Sequence, residues 1–310
     1  MACRLLRVPA WPASEGSLIT YATFAHEAWH LRPGTVDTYI SAIAHAQRMQ
    51  GWEHPRAGDG LLKLVLDGCR RMDRDGGVGP RPRVGIDGRM LQQLLQGLDR
   101  RDYRAVRFAA YASCSYFGGF RANELISTQA GERFHWDDLT FKSHLGEVEY
   151  MSVRQWVSKT RQFGPTMNIP VCRTRGPTCP VNLMLRYMAF HPTQPGERAV
   201  FTDAAGSQPY TYAQALIDTR HFGRALAVPP EELGTHSFRI GMASEAGRLN
   251  FPPHTIKALG RWDSDCYMAY IHLDPWPKQR LGWRGERAVC RRVGLRACSY
   301  CVGCSCIDPG

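Results

Sequence analysis

The stretch Thr235–Ile271, THSFRIGMASEAGRLNFPPHTIKALGRWDSDCYMAYI, decides how the rest of the chain is read. His236 and Arg239 stand three residues apart at the start of a helix expected over Ser237–Gly247, so one face can present both to one ligand. A second helix is expected over His254–Leu259 and a third over Ser264–His272. Leu259-Gly260-Arg261-Trp262 lies between them, followed by Tyr267 and Tyr270-Ile271. A guanidinium offers paired donors to a phosphate, an imidazole moves a proton, and a phenol can act as a covalent nucleophile. One short run holds all three.

Two upstream features extend this chemistry. Gly119-Phe120-Arg121-Ala122-Asn123-Glu124-Leu125 puts an arginine at an expected helix start, with Glu124 placed to orient it or to cap that helix. Ser158-Lys159-Thr160-Arg161-Gln162-Phe163-Gly164 reads as a hairpin turn, and a lysine on a turn can protonate a leaving oxygen. Only five lysines occur against thirty-four arginines, so few residues are available for that step. No acidic cluster suggests a two-metal phosphoryl-transfer site.

The remaining pattern is mainly helical. Helices are expected over Ser17–Leu31, Thr35–Met49 and Gly60–Arg74, then from an Asp87 cap through Leu98, over Tyr103–Tyr116, Asn182–Phe190 and Tyr212–Leu226. His135–Phe141, Val148–Val157 and Thr166–Val171 are richer in β-branched and aromatic residues and read as a three-stranded antiparallel meander. The stretch 76–85, GGVGPRPRVG, has no periodicity and reads as a linker. The expected organisation is a helical domain over 14–75, a linker over 76–86, a larger α+β domain over 87–275, and a basic Cys-rich tail over 276–310.

Composition agrees with a folded chain that binds a polyanion. Of 310 residues, 44% are hydrophobic and 22% charged, which excludes a disordered or collagen-like chain. No run of about 18 apolar residues suggests a membrane helix, and Met1–Ala13 lacks the apolar region of a secretion signal, so an intracellular protein is expected. The net charge is +11 and the pI near 9.3, favouring nucleic acid as partner. Residues 278–310 carry seven Lys+Arg against two Asp+Glu, so nearly half of that excess sits in the tail. Arg81 and Arg83 in the linker and Arg161 in the hairpin turn are candidate contacts to a DNA backbone.

Taken in order, these motifs resemble the tyrosine recombinases, or phage integrases. The resemblance runs over about residues 16–275 and is strongest over 235–271, where the Leu-Gly-Arg-Trp form is similar to recombinases of Crypton- and DIRS-type mobile elements. It implies the tyrosine recombinase catalytic fold preceded by a helical, SAM-like core-binding domain. Arg121, in its R-x-x-E-L context, matches the first catalytic arginine, Lys159 the lysine of the β2–β3 turn, and His236 and Arg239 the H-x-x-R pair. Lys142, the other lysine between Arg121 and His236, falls between the expected first and second strands. Tyr270 matches the nucleophile, nine residues after Arg261, with Tyr267 its competitor one helical turn earlier. Arg261 stands where the family has His or Trp, so either it or Trp262 would supply that hydrogen bond to phosphate. The implied chemistry is cutting and rejoining of double-stranded DNA through a 3′-phosphotyrosine bond, without metal, cofactor or ATP, by four protomers on two duplexes. In a eukaryotic host it would act in the nucleus.

Two other readings belong to different classes. One is a catalytically inactive, domesticated DNA-binding protein with the same fold. The other is an interaction protein acting through zinc held at Cys298-x2-Cys301-x2-Cys304-x-Cys306, although zinc sites generally pair two separated knuckles and within the tail only Cys290 precedes this cluster.

Overall fold

The computed structural model describes residues 11–53, 60–77, 83–126, 134–155, 166–190 and 199–271. The chain divides into two compact units, 1–81 and 82–310.

Among its described residues the first unit packs three helices, α1 (Glu15–Glu27), α2 (Pro33–Met49) and α3 (Gly60–Asp75). Ser14 caps α1 through a reciprocal pair of bonds with Ser17. The helix stops at Glu27, short of the expected Leu31, because His30 turns left-handed and the Leu31 N–H returns to the Ala25 carbonyl. Pro33 opens α2 two residues earlier than expected, since a proline at the first helical position has no N–H to leave unpaired. Leu18, Ala22, Ala25, Val36, Ile40, Leu62 and Leu66 form the core. His26 of α1 bonds Asp73 of α3 at 2.9 Å.

The second unit is built around α5 (Tyr103–Phe117), buried continuously from Ala105 to Tyr116. It is preceded by α4 (Gly88–Gln96), capped as expected by Asp87, which accepts from the Met90 N–H at 2.8 Å. The short α6 (Ala122–Leu125) follows, then β1 (Leu139–His144), β2 (Glu147–Gln155) and β3 (Met167–Cys172), an antiparallel meander in that order. The helices α7 (Pro180–Phe190), α8 (Tyr212–Phe222), α9 (Ser237–Arg248) and α10 (Pro253–Gly260) complete it, with a 3-10 turn over Asp265–Tyr270. The fold is mainly α with one small antiparallel sheet, the class read from the sequence.

Three local expectations are corrected. The first strand starts at Leu139 and not at His135, because the Asp138 carboxylate accepts from the His135 N–H and winds Trp136–Asp138 into a 3-10 turn, while His135 bridges to Ala199. Lys142 lies inside β1 opposite Tyr150, and Leu145-Gly146, both at positive φ, makes the turn. The end of the expected linker belongs to the second unit: Val84 N–H donates to Glu232 O and Ile86 N–H to Ser237 O. There the backbones meet so closely that a Cβ on Gly241 would fall 1.8 Å from the Ile86 carbonyl oxygen. The tail lies outside the described residues.

Candidate active site

The site is assembled where the start of α9, the turn before α6 and the end of α10 converge. Arg239, on the first turn of α9, is fully buried. Its Nη1 donates to the Gly119 carbonyl and its Nη2 to the Gly260 carbonyl. The guanidinium lies 4.2 Å from the Trp262 ring centroid and 5.8 Å from that of Tyr270. Its Nε has no hydrogen-bond partner, and among the described residues no carboxylate pairs with it. Burial first, then the charges of Arg121 and Arg261, pull Arg239 down to about 9 against the opposing pull of Glu124 and Tyr270, so it remains a cation at neutral pH.

The turn Gly118-Gly119 supplies the carbonyls. Gly119 has φ +55, and a Cβ there would meet the Leu259 carbonyl oxygen at 2.8 Å, so both conformation and space require glycine. Arg121 follows as the cap of α6. Glu124 does both things proposed for it: one oxygen accepts from Arg121 Nη1 at 2.9 Å and the other from the Arg121 backbone N–H at 2.9 Å. Burial pushes the Glu124 carboxyl up, but Arg261 and then the bonds and charge of Arg121 outweigh it and hold the group ionised below the usual carboxylate range.

The end of α10 brings the last group. Arg261 closes the helix in the left-handed conformation, φ 56, ψ 47. Its Nη1 donates to Gly118 O at 2.7 Å, and its Nη2 to Gly119 O at 3.1 Å and to Glu124 Oε2 at 2.9 Å. Trp262 is buried over Gly260, where any Cβ would strike its ring, and its Nε1–H has no partner. The Tyr270 ring lies 5.2 Å from that of Trp262, and the Tyr270 carbonyl accepts from Ser244 Oγ, which fastens the 3-10 turn to α9. Tyr267 is 3% exposed and packs into the core, whereas Tyr270 is half-buried.

His236 stands immediately before α9 and is half-buried. Burial, then the charges of Arg239 and Arg121, push its imidazole below the ordinary histidine value, with Glu124 opposing, so it is neutral at pH 7. Arg121, His236, Arg239, Arg261, Trp262 and Tyr270 therefore belong to one neighbourhood. Among the described residues Arg121 and Arg261 pair with Glu124, and Arg239 pairs with no carboxylate. Lys159 and Arg161, in the connection between β2 and β3, and Arg81 lie outside the described residues. Arg83 is exposed, but its guanidinium is tied to the carbonyls of Glu231 and Leu233 just before His236. Sequence reading missed the carbonyl platform of Gly118 and Gly119 and the bridge from Glu124 to Arg261. Only the Arg-x-x-Glu spacing carried a signal for either. Among the described residues no group of three His, Cys, Asp or Glu is placed to hold a metal ion.

No protein-family model matches the chain, and no curated protein matches it in sequence. Solved structures do. The Tn1549 transposon integrase in complex with a circular intermediate DNA aligns at TM-score 0.57 and 13% identity, over 88% of this chain and 87% of that one. The same integrase with transposon right end DNA aligns at 0.54 and 14%, over 94% and 90%. The XerH site-specific recombinase bound to palindromic difH substrate aligns at 0.55 and 14%, over 88% and 72%. Across nearly its whole length, then, the chain is similar to these recombinases in fold.

Proposed function

We propose that the protein is a site-specific DNA recombinase that cuts and rejoins double-stranded DNA through a covalent tyrosine intermediate. One observation carries the reading: Arg239 is buried, cationic and, among the described residues, without a carboxylate, beside the Trp262 and Tyr270 rings, with Arg121 near enough to pull down its pKa. A buried charge left unpaired is costly unless a ligand completes it, and a phosphodiester is such a ligand. The integrase and XerH structures that share the fold were solved with DNA, which supports the same partner here.

In the proposed reaction Tyr270 Oη attacks the scissile phosphorus. The P–Oη bond forms, the bond to the 5′ oxygen breaks, and that oxygen takes a proton from Lys159. Arg121 and Arg239 hold the non-bridging oxygens, and the free Trp262 N–H adds a donor. Neutral His236 receives the phenol proton or bonds the phosphate. A free 5′ hydroxyl then reverses both bonds, so the backbone energy is kept. By the same reading the working assembly is a homotetramer on paired sites inside the cell, and the element type is Crypton- or DIRS-like.

A nicked suicide duplex, drawn from a randomised pool by binding to the protein, tests the proposal. Denaturing electrophoresis should show a covalent adduct that Tyr270→Phe abolishes and Tyr267→Phe retains. An adduct surviving Tyr270→Phe moves the nucleophile elsewhere. A bound duplex that gives no adduct turns the protein into a DNA-binding one without cleavage.

A further inference from the structure

Arg261 occupies the position at which the resemblance led us to expect a phosphate ligand, yet its donors point to protein. Nη1 and Nη2 reach three acceptors on three residues, Gly118 O, Gly119 O and Glu124 Oε2, and the guanidinium lies 4.9 Å from the Phe120 ring centroid. The side chain is 12% exposed. Each acceptor is shared with an arginine of the site or lies next to one. Gly119 O also receives Arg239 Nη1, and Glu124 also receives the side chain and the backbone N–H of Arg121. Arg261 is thus the common neighbour of both arginines through acceptors, without bonding to either.

We propose that Arg261 is a positioning residue that grips Glu124 and the Gly118-Gly119 carbonyls and thereby aims Arg121 and Arg239 at one anion. Only a guanidinium does this. Its planar fork can serve a carboxylate and two carbonyls at once, whereas an ammonium is a point donor and an imidazole or indole has too few N–H groups. Three like charges around one site would otherwise push apart; the buried Glu124 carboxylate, held from both sides, keeps Arg121 and Arg261 in register. The left-handed backbone at Arg261 puts the residue at the α10 terminus, one step before Trp262, so the indole and not the guanidinium is left with an unpartnered donor.

The identity of the anion as the scissile phosphate rests on the recombinase reading; the arrangement that aims the two arginines does not. The test is a double-mutant cycle between Arg261→Lys and Arg121→Lys on the full chain, read as single-turnover adduct formation and as duplex Kd. Arg261→Lys should slow adduct formation roughly thirtyfold with duplex Kd within about twofold, since phosphate contacts elsewhere carry most of the affinity. In the Arg121→Lys background the same substitution should cost less than about threefold, because its target is already gone. A loss of full size in that background makes Arg261 a direct phosphate ligand and overturns the proposal. Glu124→Gln should reproduce the Arg261→Lys profile, and it stands in if Arg261→Lys does not fold. Binding of inorganic phosphate, measured by calorimetry, runs the same cycle without turnover. A wild-type chain that binds phosphate but forms no adduct sinks the recombinase reading and leaves this cycle to decide the positioning one; a chain that does neither overturns both.

Discussion

Two arginine clusters among the described residues of the second unit are built on different plans. On α5, Arg107 and Arg104 converge on Asp218: Arg104 Nε donates at 2.6 Å, Arg107 Nη2 at 3.2 Å and the Tyr210 hydroxyl at 2.7 Å. Arg107 also donates to Thr202 O and lies 4.0 Å from the Tyr210 ring centroid. Burial, and then the charge of Asp218, push the Tyr210 hydroxyl well up, so it stays a donor. On α9, Arg239 has carbonyls, an indole face and, among the described residues, no carboxylate. In the first cluster the buried arginine, Arg107, has a carboxylate partner; in the second the buried arginine, Arg239, has none among the described residues. That difference, more than the presence of arginine, marks where an anion is expected.

The comparison can be broken most sharply at Arg239. Arg239→Gln should lower adduct formation by about a thousandfold or more, as loss of a transition-state donor does. Thermal stability should hold or rise, because an unpaired buried charge has been removed. A fall in stability as large as the fall in rate would put Arg239 in the same class as Arg107. Asp218→Asn is the converse: it leaves the buried Arg107 without its carboxylate, and urea unfolding should show a loss of about 3 kcal/mol. Adduct formation per folded molecule should change less than about twofold, since the substitution lies outside the proposed phosphate contacts.

A smaller effect comes from pH. The folded pKa of His236 is depressed, so the fold favours neutral imidazole; this contribution is present above the ordinary histidine value and is lost as pH falls through the lower folded one. The adduct rate should be level between about pH 6.5 and 8 and drop roughly tenfold below, a limb that His236→Asn removes. A limb centred above the ordinary histidine value would contradict the environment described for His236. Smallest is Tyr210→Phe, which deletes one bond to Asp218 and should cost about 1 kcal/mol in unfolding with no change in rate.

Where a residue's role was local, the sequence carried it. Asp87 precedes an apolar periodic run and caps α4; Tyr103–Tyr116 is largely apolar and becomes the central helix; His236 and Arg239 share a turn because they are three apart. Roles set by distant partners were not legible. His135 belongs to a strand by composition, but Asp138 and Ala199 claim its backbone. Arg83 reads as a free linker cation and is tied to carbonyls about 150 residues away. Arg261 takes its position from the motif and its partners from Gly118, Gly119 and Glu124, none of which any local pattern connects to it.

Those same bonds have a consequence for how the molecule is made. Arg239 meets Gly119 across 120 residues, and Arg261 meets Glu124 across 137 and Gly118 across 143. Closing chain loops of this length is slow, and a ribosome delivers the two ends in sequence. While synthesis is under way, Arg121 and Glu124 are present long before their counterparts. The pocket proposed to bind the phosphodiester is therefore completed late, once α10 has been released, and a nascent chain that ends before α10 lacks Arg261, a partner of Gly118, Gly119 and Glu124.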